Sequence, residues 1–236
     1  MKKIITIFIL GLLFCGCACK KEEMAKVEVT NVAVPTSLEK ETKPKEMVVI
    51  NYKDFPLDKN NKEVWVKKVK TGKADVVVIN DEELKVDVLN VKSDVSSYYF
   101  KKQVNVDIDK YGIVSWKWKV KTNPKGGDVR KSATDDQAIQ ILFAFEGKYI
   151  ISYIWDATAP AGYSKDSSIP FIVAQKILVL ESGDEKLDQW LEIRRDIKAD
   201  FKKLYKMEAP KLAGIAVQAN SQHTKTKCEA LLSPIT

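Results

Sequence analysis

From Met47 onward, apolar residues recur at every second position in short runs, the period of a β-strand with one buried face. The clearest run is "SWKWKV", Ser115 to Val120. With Val114 before it, Val114, Trp116, Trp118 and Val120 share one side, and Ser115, Lys117 and Lys119 share the other. "MVVINY", "WVKKV", "ADVVVIN", "LKVDVLNV", "WLEIRRDI", "KLAGIAVQANS" and "KCEALL" are further alternating or β-branched runs. "DEE" at 81–83 reads as a turn between two of them, and Glu146–Gly147–Lys148 as the joint of a hairpin between "QAIQILFAF" and "YIISYIW". "SSYYFKKQVNVDI" resists a single phase and predicts a bulge. Helical spacing is confined to "DIKADFKKLYKM", where Ile197, Phe201, Leu204 and Tyr205 recur at three- and four-residue steps. Asp196 suits the N-cap and Pro210 stops the run.

This pattern predicts an all-β protein: a jelly-roll-like antiparallel β-sandwich with one short helix near 197–206, forming a single domain over 48–236. "AIQILFAF" and "ILVL" are apolar on both faces, so their strands are expected to be covered on both sides. The strands around "WKWK" and "LEIRRD" are half polar, which places a wet face or a groove there. Trp116 and Trp118 share their side with two valines. That favours core packing over an open platform stacking on sugar rings.

The first residues change the picture. "MKK" is a short basic start, and "IITIFILGLLF" is an apolar run of signal-peptide length, short for a membrane span. "CGCACKK" follows. Cys17, preceded by Gly16, best fits the cysteine that receives lipid after cleavage of a bacterial lipoprotein signal. Residues 1–16 are then the signal peptide, and 17–47, Lys/Glu-rich with Pro35 and Pro44, a lipid-anchored flexible tether. The expected location is the bacterial cell envelope, on the outer-membrane or periplasmic side, with the membrane a partner through that lipid.

The formal net charge is +7, falling to about +5 once Lys2 and Lys3 are removed with the signal, and the lysines are dispersed. This argues against a nucleic-acid partner. Three of the four cysteines lie near the start, which excludes a disulfide framework for the fold, and Cys228 reads as a small buried residue of the last strand. No cysteine pair has zinc spacing and His223 is the only histidine, so neither metal nor cofactor is expected, and a Ser-His-Asp triad would have to be built around that residue.

Two polar constellations remain. "NPKGGDVRKSATDDQ" carries Arg130 and the adjacent Asp135 and Asp136, whose side chains point to opposite faces when extended. One is expected to face a ligand and the other to pair with Arg130; the alternative is a solvated loop with a local salt bridge. "RRDIKAD" carries Arg195 among Leu191, Ile193 and Ile197, which predicts an inward guanidinium needing a carboxylate, with Asp136 as the candidate. Trp155, before the loop "TAPAGYSKDSSIP", is expected to line a pocket mouth with Tyr163.

Taken as a set, "SWKWKV", "DVRKSATDDQAIQILFAF", "YIW", "IRRDIKADF" and "IAVQANSQHTKT" resemble a family of exported bacterial proteins, the domain-of-unknown-function family numbered three thousand and forty-seven, over roughly residues 50 to 235. The resemblance implies the fold and an exported location. Its general look is similar to jelly-roll carbohydrate-binding modules. Acidic residues are usual in the family near "NSQHT", where this chain has Asn220, Ser221 and Gln222.

The expected function is therefore non-catalytic binding of a glycan or other extended polar ligand, with Arg130, Asp135, Asp136, Trp155 and Arg195 lining or supporting the groove. One rival is a glycosidase or polysaccharide lyase on the same fold. A glycosidase would need two carboxylates across a cleft, Asp136 with Asp200 or Glu192. The other rival is a structural envelope lipoprotein that binds another protein through a sheet edge.

Overall fold

The computed structural model describes residues 47–53, 55, 65–168 and 173–236. Residues 1–16, Cys17 and nearly all of the expected tether 17–47 lie outside these residues. The strands are β1 (Val66–Thr71), β2 (Asp75–Asp81), β3 (Val86–Asp94), β4 (Ser97–Val106), β5 (Ile113–Thr122), β6 (Ile139–Phe145), β7 (Tyr149–Asp156), β8 (Ser164–Asp166), β9 (Ala174–Ser182), β10 (Leu191–Asp196), β11 (Leu212–Asn220) and β12 (Lys227–Leu232). A helix, α1 (Ile197–Tyr205), lies between β10 and β11. No helix among the described residues is long and apolar enough to cross a membrane.

Two sheets form the jelly-roll-like sandwich. One has seven strands in the order β1-β4-β11-β6-β7-β9-β8, the other five in the order β10-β5-β12-β3-β2. Pairing is antiparallel throughout except between β7 and β9, which run parallel. The hairpin joint at Glu146–Gly147–Lys148 is a 3-10 turn with Gly147 at φ 75°, a conformation that costs glycine nothing. The bulge lies in β4. Between Gln103 and Val106 it carries one residue more than β11 does between Gly214 and Leu212.

The period-two rows of β5, β6 and β7 meet between the sheets. Val114, Trp116, Trp118 and Val120 are buried against Ile141, Phe143, Tyr153 and Trp155. Trp116 stands 5.6 Å from Tyr153 and 6.0 Å from Phe143, and Trp118 stands 6.1 Å from Trp155. These spacings suit tilted and edge-on aromatic pairs. The indole N–H groups of Trp116 and Trp118 meet no acceptor among the described residues, so both contribute bulk rather than polarity. The question of core or platform is settled for core.

Helix α1 starts as its sequence dictates: the Asp196 carboxylate accepts from the Ala199 N–H at 2.9 Å. Its inward residue Phe201 packs on Phe145 at 4.8 Å and Tyr149 at 5.6 Å. Cys228 is buried and free in β12, and burial pushes its thiol up to about 12, so it is chemically quiet.

The half-polar face beside the Trp row is not a groove. Its lysines are matched by carboxylates, Lys119 with Glu83 at 2.8 Å and Lys117 with Glu192 at 3.8 Å. The groove lies on the other sheet. "AIQILFAF" is apolar on both faces because Ile139, Ile141, Phe143 and Phe145 fill the core, while Leu142 and Ala144 floor that groove instead of being covered.

Candidate functional site

Strand register places three rows of side chains across the outer face of the seven-stranded sheet. The first is Gln103, Gly214, Ala144, Ile150, Gln175. The second is Lys101, Ala216, Leu142, Ser152, Ile177, and the third is Tyr99, Gln218, Gln140, Ile154, Val179. Small and aliphatic residues occupy the middle of the first two rows; amides stand at both ends of the first, Lys101 heads the second, and Gln218 and Gln140 lie side by side in the third. The result is a groove of about 870 Å³. Four strand-to-strand steps of about 4.8 Å, from β4 to β9, make it about 19 Å wide.

Gly214 keeps the floor low, since a Cβ there would meet the Lys102 carbonyl at 3.2 Å. The far end of the third row is roofed. Ile154, Ile177 and Val179 form a satellite cluster with Val129, Ala159 and Tyr163, which clamps the 123–137 and 157–163 loops onto the sheet. The buried Asp156 carboxylate fastens both loops, accepting from the N–H groups of Val129 (2.8 Å), Thr158 (2.9 Å) and Ala159 (2.6 Å). Burial pushes its carboxyl above the ordinary range against the pull of those donors.

The amides differ in their engagement. Gln140 donates to Gln137 and Asn220 at 2.6 and 2.9 Å, and Gln175 donates to the Ser152 hydroxyl at 2.8 Å. The side chains of Gln103 and Gln218 have no hydrogen-bond partner among the described residues, although Gln218 is half-buried between Tyr99 and Gln140 in the third row. An amide has two donors and an acceptor with two lone pairs, and leaving them unmet is costly once water is displaced. A ligand in the groove therefore meets ready hydrogen-bonding capacity above an apolar floor.

Of the five residues singled out from sequence, only Asp135 lines the groove. It stands at the end of the third row, held by Lys165 at 3.1 Å and Gln137 at 3.0 Å. Asp136 beside it is fully buried. Its carboxylate accepts from Asn220 (3.1 Å) and from the Thr224 N–H and hydroxyl (2.6 and 2.8 Å), fixing the turn from Ser221 to Thr226.

Arg130 folds back on Asp128 within the same loop, at 2.7 and 3.0 Å, and its guanidinium holds the Asp128 carboxyl well below the usual range. It pairs with neither Asp135 nor Asp136, because a carboxylate two residues away is nearer. Trp155 is no pocket mouth. It shares its parity with Ile151 and Tyr153, lies in the core, and donates to the Gly183 carbonyl at 3.0 Å.

Arg195 does face inward, but its partner is Asp200. The first turn of α1 brings that carboxylate back over β10, where it accepts Nε at 2.8 Å and Nη2 at 2.5 Å. The Tyr153 hydroxyl donates to the same carboxylate at 2.6 Å. Burial, then the Asp200 charge, pushes the Tyr153 phenol well above its ordinary value, so it stays a donor. Asp136 and Asp200 thus belong to separate networks and face each other across no cleft.

His223 stands at the groove end, 3.2 Å from the Asp135 carbonyl and 3.5 Å from the Asp136 carboxylate. Its other ring nitrogen neighbours the Gln222 amide at 3.4 Å rather than a hydroxyl. The groove residues that sequence reading passed over are Lys101, Gln103, Gln140, Gln175 and Gln218. Their signal was a polar residue recurring on the outward parity of otherwise apolar strands, as in "QAIQIL" and "IAVQAN".

Among solved structures, the xyloglucanase domain of NopAA, a type three effector from Sinorhizobium fredii in complex with cellobiose, is similar at 11% identity. It covers 63% of this chain and 80% of its own, with a TM-score of 0.40. The family 11 carbohydrate-binding module from Clostridium thermocellum, in complex with a β-1,3-1,4-mixed-linked tetrasaccharide, is also 11% identical. It covers 79% of this chain and 92% of its own, at a TM-score of 0.39. No curated protein matches the chain. Residues 63–236, which hold the twelve strands and the helix of the described residues and the groove, match DUF3047, described as a protein of unknown function, and the chain belongs to that family.

Proposed function

We propose that the protein binds an extended glycan in this groove without transforming it. The observation that carries the reading is Gln218: a half-buried amide, its side chain unpartnered among the described residues, lining a groove with an apolar floor and further amides around it. A sugar presents hydroxyls around its ring edge and C–H groups on its faces, and this mixture matches both. The width supports a chain of several sugars rather than one. Binding is favoured over hydrolysis because the described residues lining the groove include one carboxylate, Asp135, already paired with Lys165.

Gln218→Ala is expected to weaken binding to a glycan found on an array of the full-length protein by roughly three- to tenfold, the worth of a neutral hydrogen bond or two. Its thermal midpoint should stay close to the wild-type value, since no side-chain hydrogen bond within the described residues is lost. Unchanged affinity would remove the groove from the reading.

We further propose that the protein is held at the bacterial cell envelope by lipid on Cys17. The basic start, the apolar run and Gly16 before the cysteine support this. Cys17→Ser is expected to abolish metabolic labelling with a fatty-acid probe and to leave unprocessed precursor. Labelling at the wild-type level would refute it.

A further inference from the structure

We propose that the β1/β4 end of the groove is a subsite for an acidic group, which makes the ligand a carboxylate- or sulfate-bearing polysaccharide; this rests on the glycan reading above. The two strands at this end carry Lys67, Lys68 and Lys70 in β1 and Lys101 in β4, with no aspartate or glutamate in either strand. Elsewhere on the sandwich several lysines stand beside carboxylates, as Lys119 does with Glu83, Lys176 with Asp166 and Lys186 with Glu181. Lysines on an edge strand have an ordinary use, since they deter edge-to-edge pairing, and β1 is such an edge.

That use does not cover Lys101. It lies on β4, an interior strand, directly between Val66 of β1 and Ala216 of β11. It is exposed, heads the second row of the groove and has no carboxylate partner among the described residues. Nor does edge protection explain the placement of Lys70. β1 carries one extra residue here, since Val69 pairs with Tyr98 and Thr71 with Ser97, which makes Lys70 a bulge residue. A bulge re-aims a side chain, and the Lys70 ammonium stands 5.9 Å over the Tyr99 ring, at the head of the third row. Two ammonium groups thus flank the same end of the groove, beside the unpartnered amide of Gln103. An anionic substituent entering there gains charge-assisted hydrogen bonds, while a neutral sugar leaves both cations unused.

The test measures binding of the full-length protein to polygalacturonate, a sulfated galactan and neutral xyloglucan. Variants are Lys101→Gln, Lys101→Arg and, as a control of equal charge loss on the opposite sheet, Lys117→Gln. The expected result is tighter binding to an acidic polymer than to xyloglucan. Lys101→Gln should weaken acidic binding about tenfold or more, with Lys101→Arg restoring most of it and Lys117→Gln near wild type. Whichever acidic polymer binds names the group as carboxylate or sulfate. Preference for xyloglucan, or equal losses in Lys101→Gln and Lys117→Gln, would overturn the acidic subsite and leave the glycan reading standing. Binding to none of the polymers, nor to any glycan on the array, would remove both. Equally tight, Lys101-dependent binding to single-stranded oligo(dT) would reassign the site to phosphodiester recognition and overturn the sugar assignment.

Discussion

Replacing Trp118 with alanine is expected to destabilise the sandwich by about 3–5 kcal/mol, the usual cost of emptying a buried tryptophan site. Trp118 is fully buried, and its neighbours Trp116 and Trp155 lean on it from 5.8 and 6.1 Å. Trp116 is fixed on the same strand and Trp155 on the facing β7, so the space closes only in part and the cavity term adds to the lost transfer energy. Domains of this kind hold about 5–15 kcal/mol in total. The loss should lower the urea midpoint markedly and show as aggregation on heating. Trp118→Phe should fall between, because its indole N–H has no acceptor to lose. A Trp118→Ala variant that melts like the wild type but loses glycan binding would return the residue to the surface.

The second large effect concerns Arg195 and Asp200. Asp200→Ala leaves an inward guanidinium and the Tyr153 hydroxyl without their shared acceptor. Arg195 is only about two-thirds covered, at 32% side-chain exposure, against 11% for Asp200. The cost therefore lies between the ~0–1 kcal/mol of exposed pairs and the ~3–5 kcal/mol of fully buried ones, at about 2 kcal/mol. The double variant Arg195→Met, Asp200→Leu should lose less than the sum of its singles, since contacting partners couple. Arg195→Met with Asp136→Leu should be additive within about 0.5 kcal/mol, because those residues belong to separate networks. Additivity in the first cycle, read from urea denaturation, would show that the observed ion pair contributes nothing.

That contrast marks how far the sequence could be read. The inward row of β5, the turn at Glu146–Gly147–Lys148, the Asp196 cap and burial of Cys228 are local matters of period, turn chemistry and side-chain type. Each was visible in a few consecutive residues. The inward turn of Arg195 was visible for the same reason, but its partner was not, because which carboxylate arrives depends on how α1 folds back over β10. For Trp155 two local signals disagree: its place before a loop points to a pocket mouth, and its parity with Ile151 and Tyr153 points inward, which is where it lies. The half-polar face of β5 reads equally as a wet face or a groove, and the lysine–carboxylate pairing that makes it a wet face is not apparent from one strand. Gln140 and Gln218 carry neither charge nor ring. They become a site only once register sets them side by side.

The order of the strands has a consequence for how the chain folds. β11 lies between β4 and β6, and β12 between β5 and β3, so the last two strands are interior members of their sheets. Until they arrive, β4 has no partner on its β11 side and the five-stranded sheet is split between β5 and β3. Ser97 and Asn220, or Leu89 and Leu232, must meet across more than a hundred residues, a topology that folds slowly because distant loops close first. A chain delivered from its N-terminus thus stays without either complete sheet for most of its delivery. Local hairpins such as β2 with β3 and β6 with β7 can pair early, but neither sheet is joined into one piece before β11 and β12 are available.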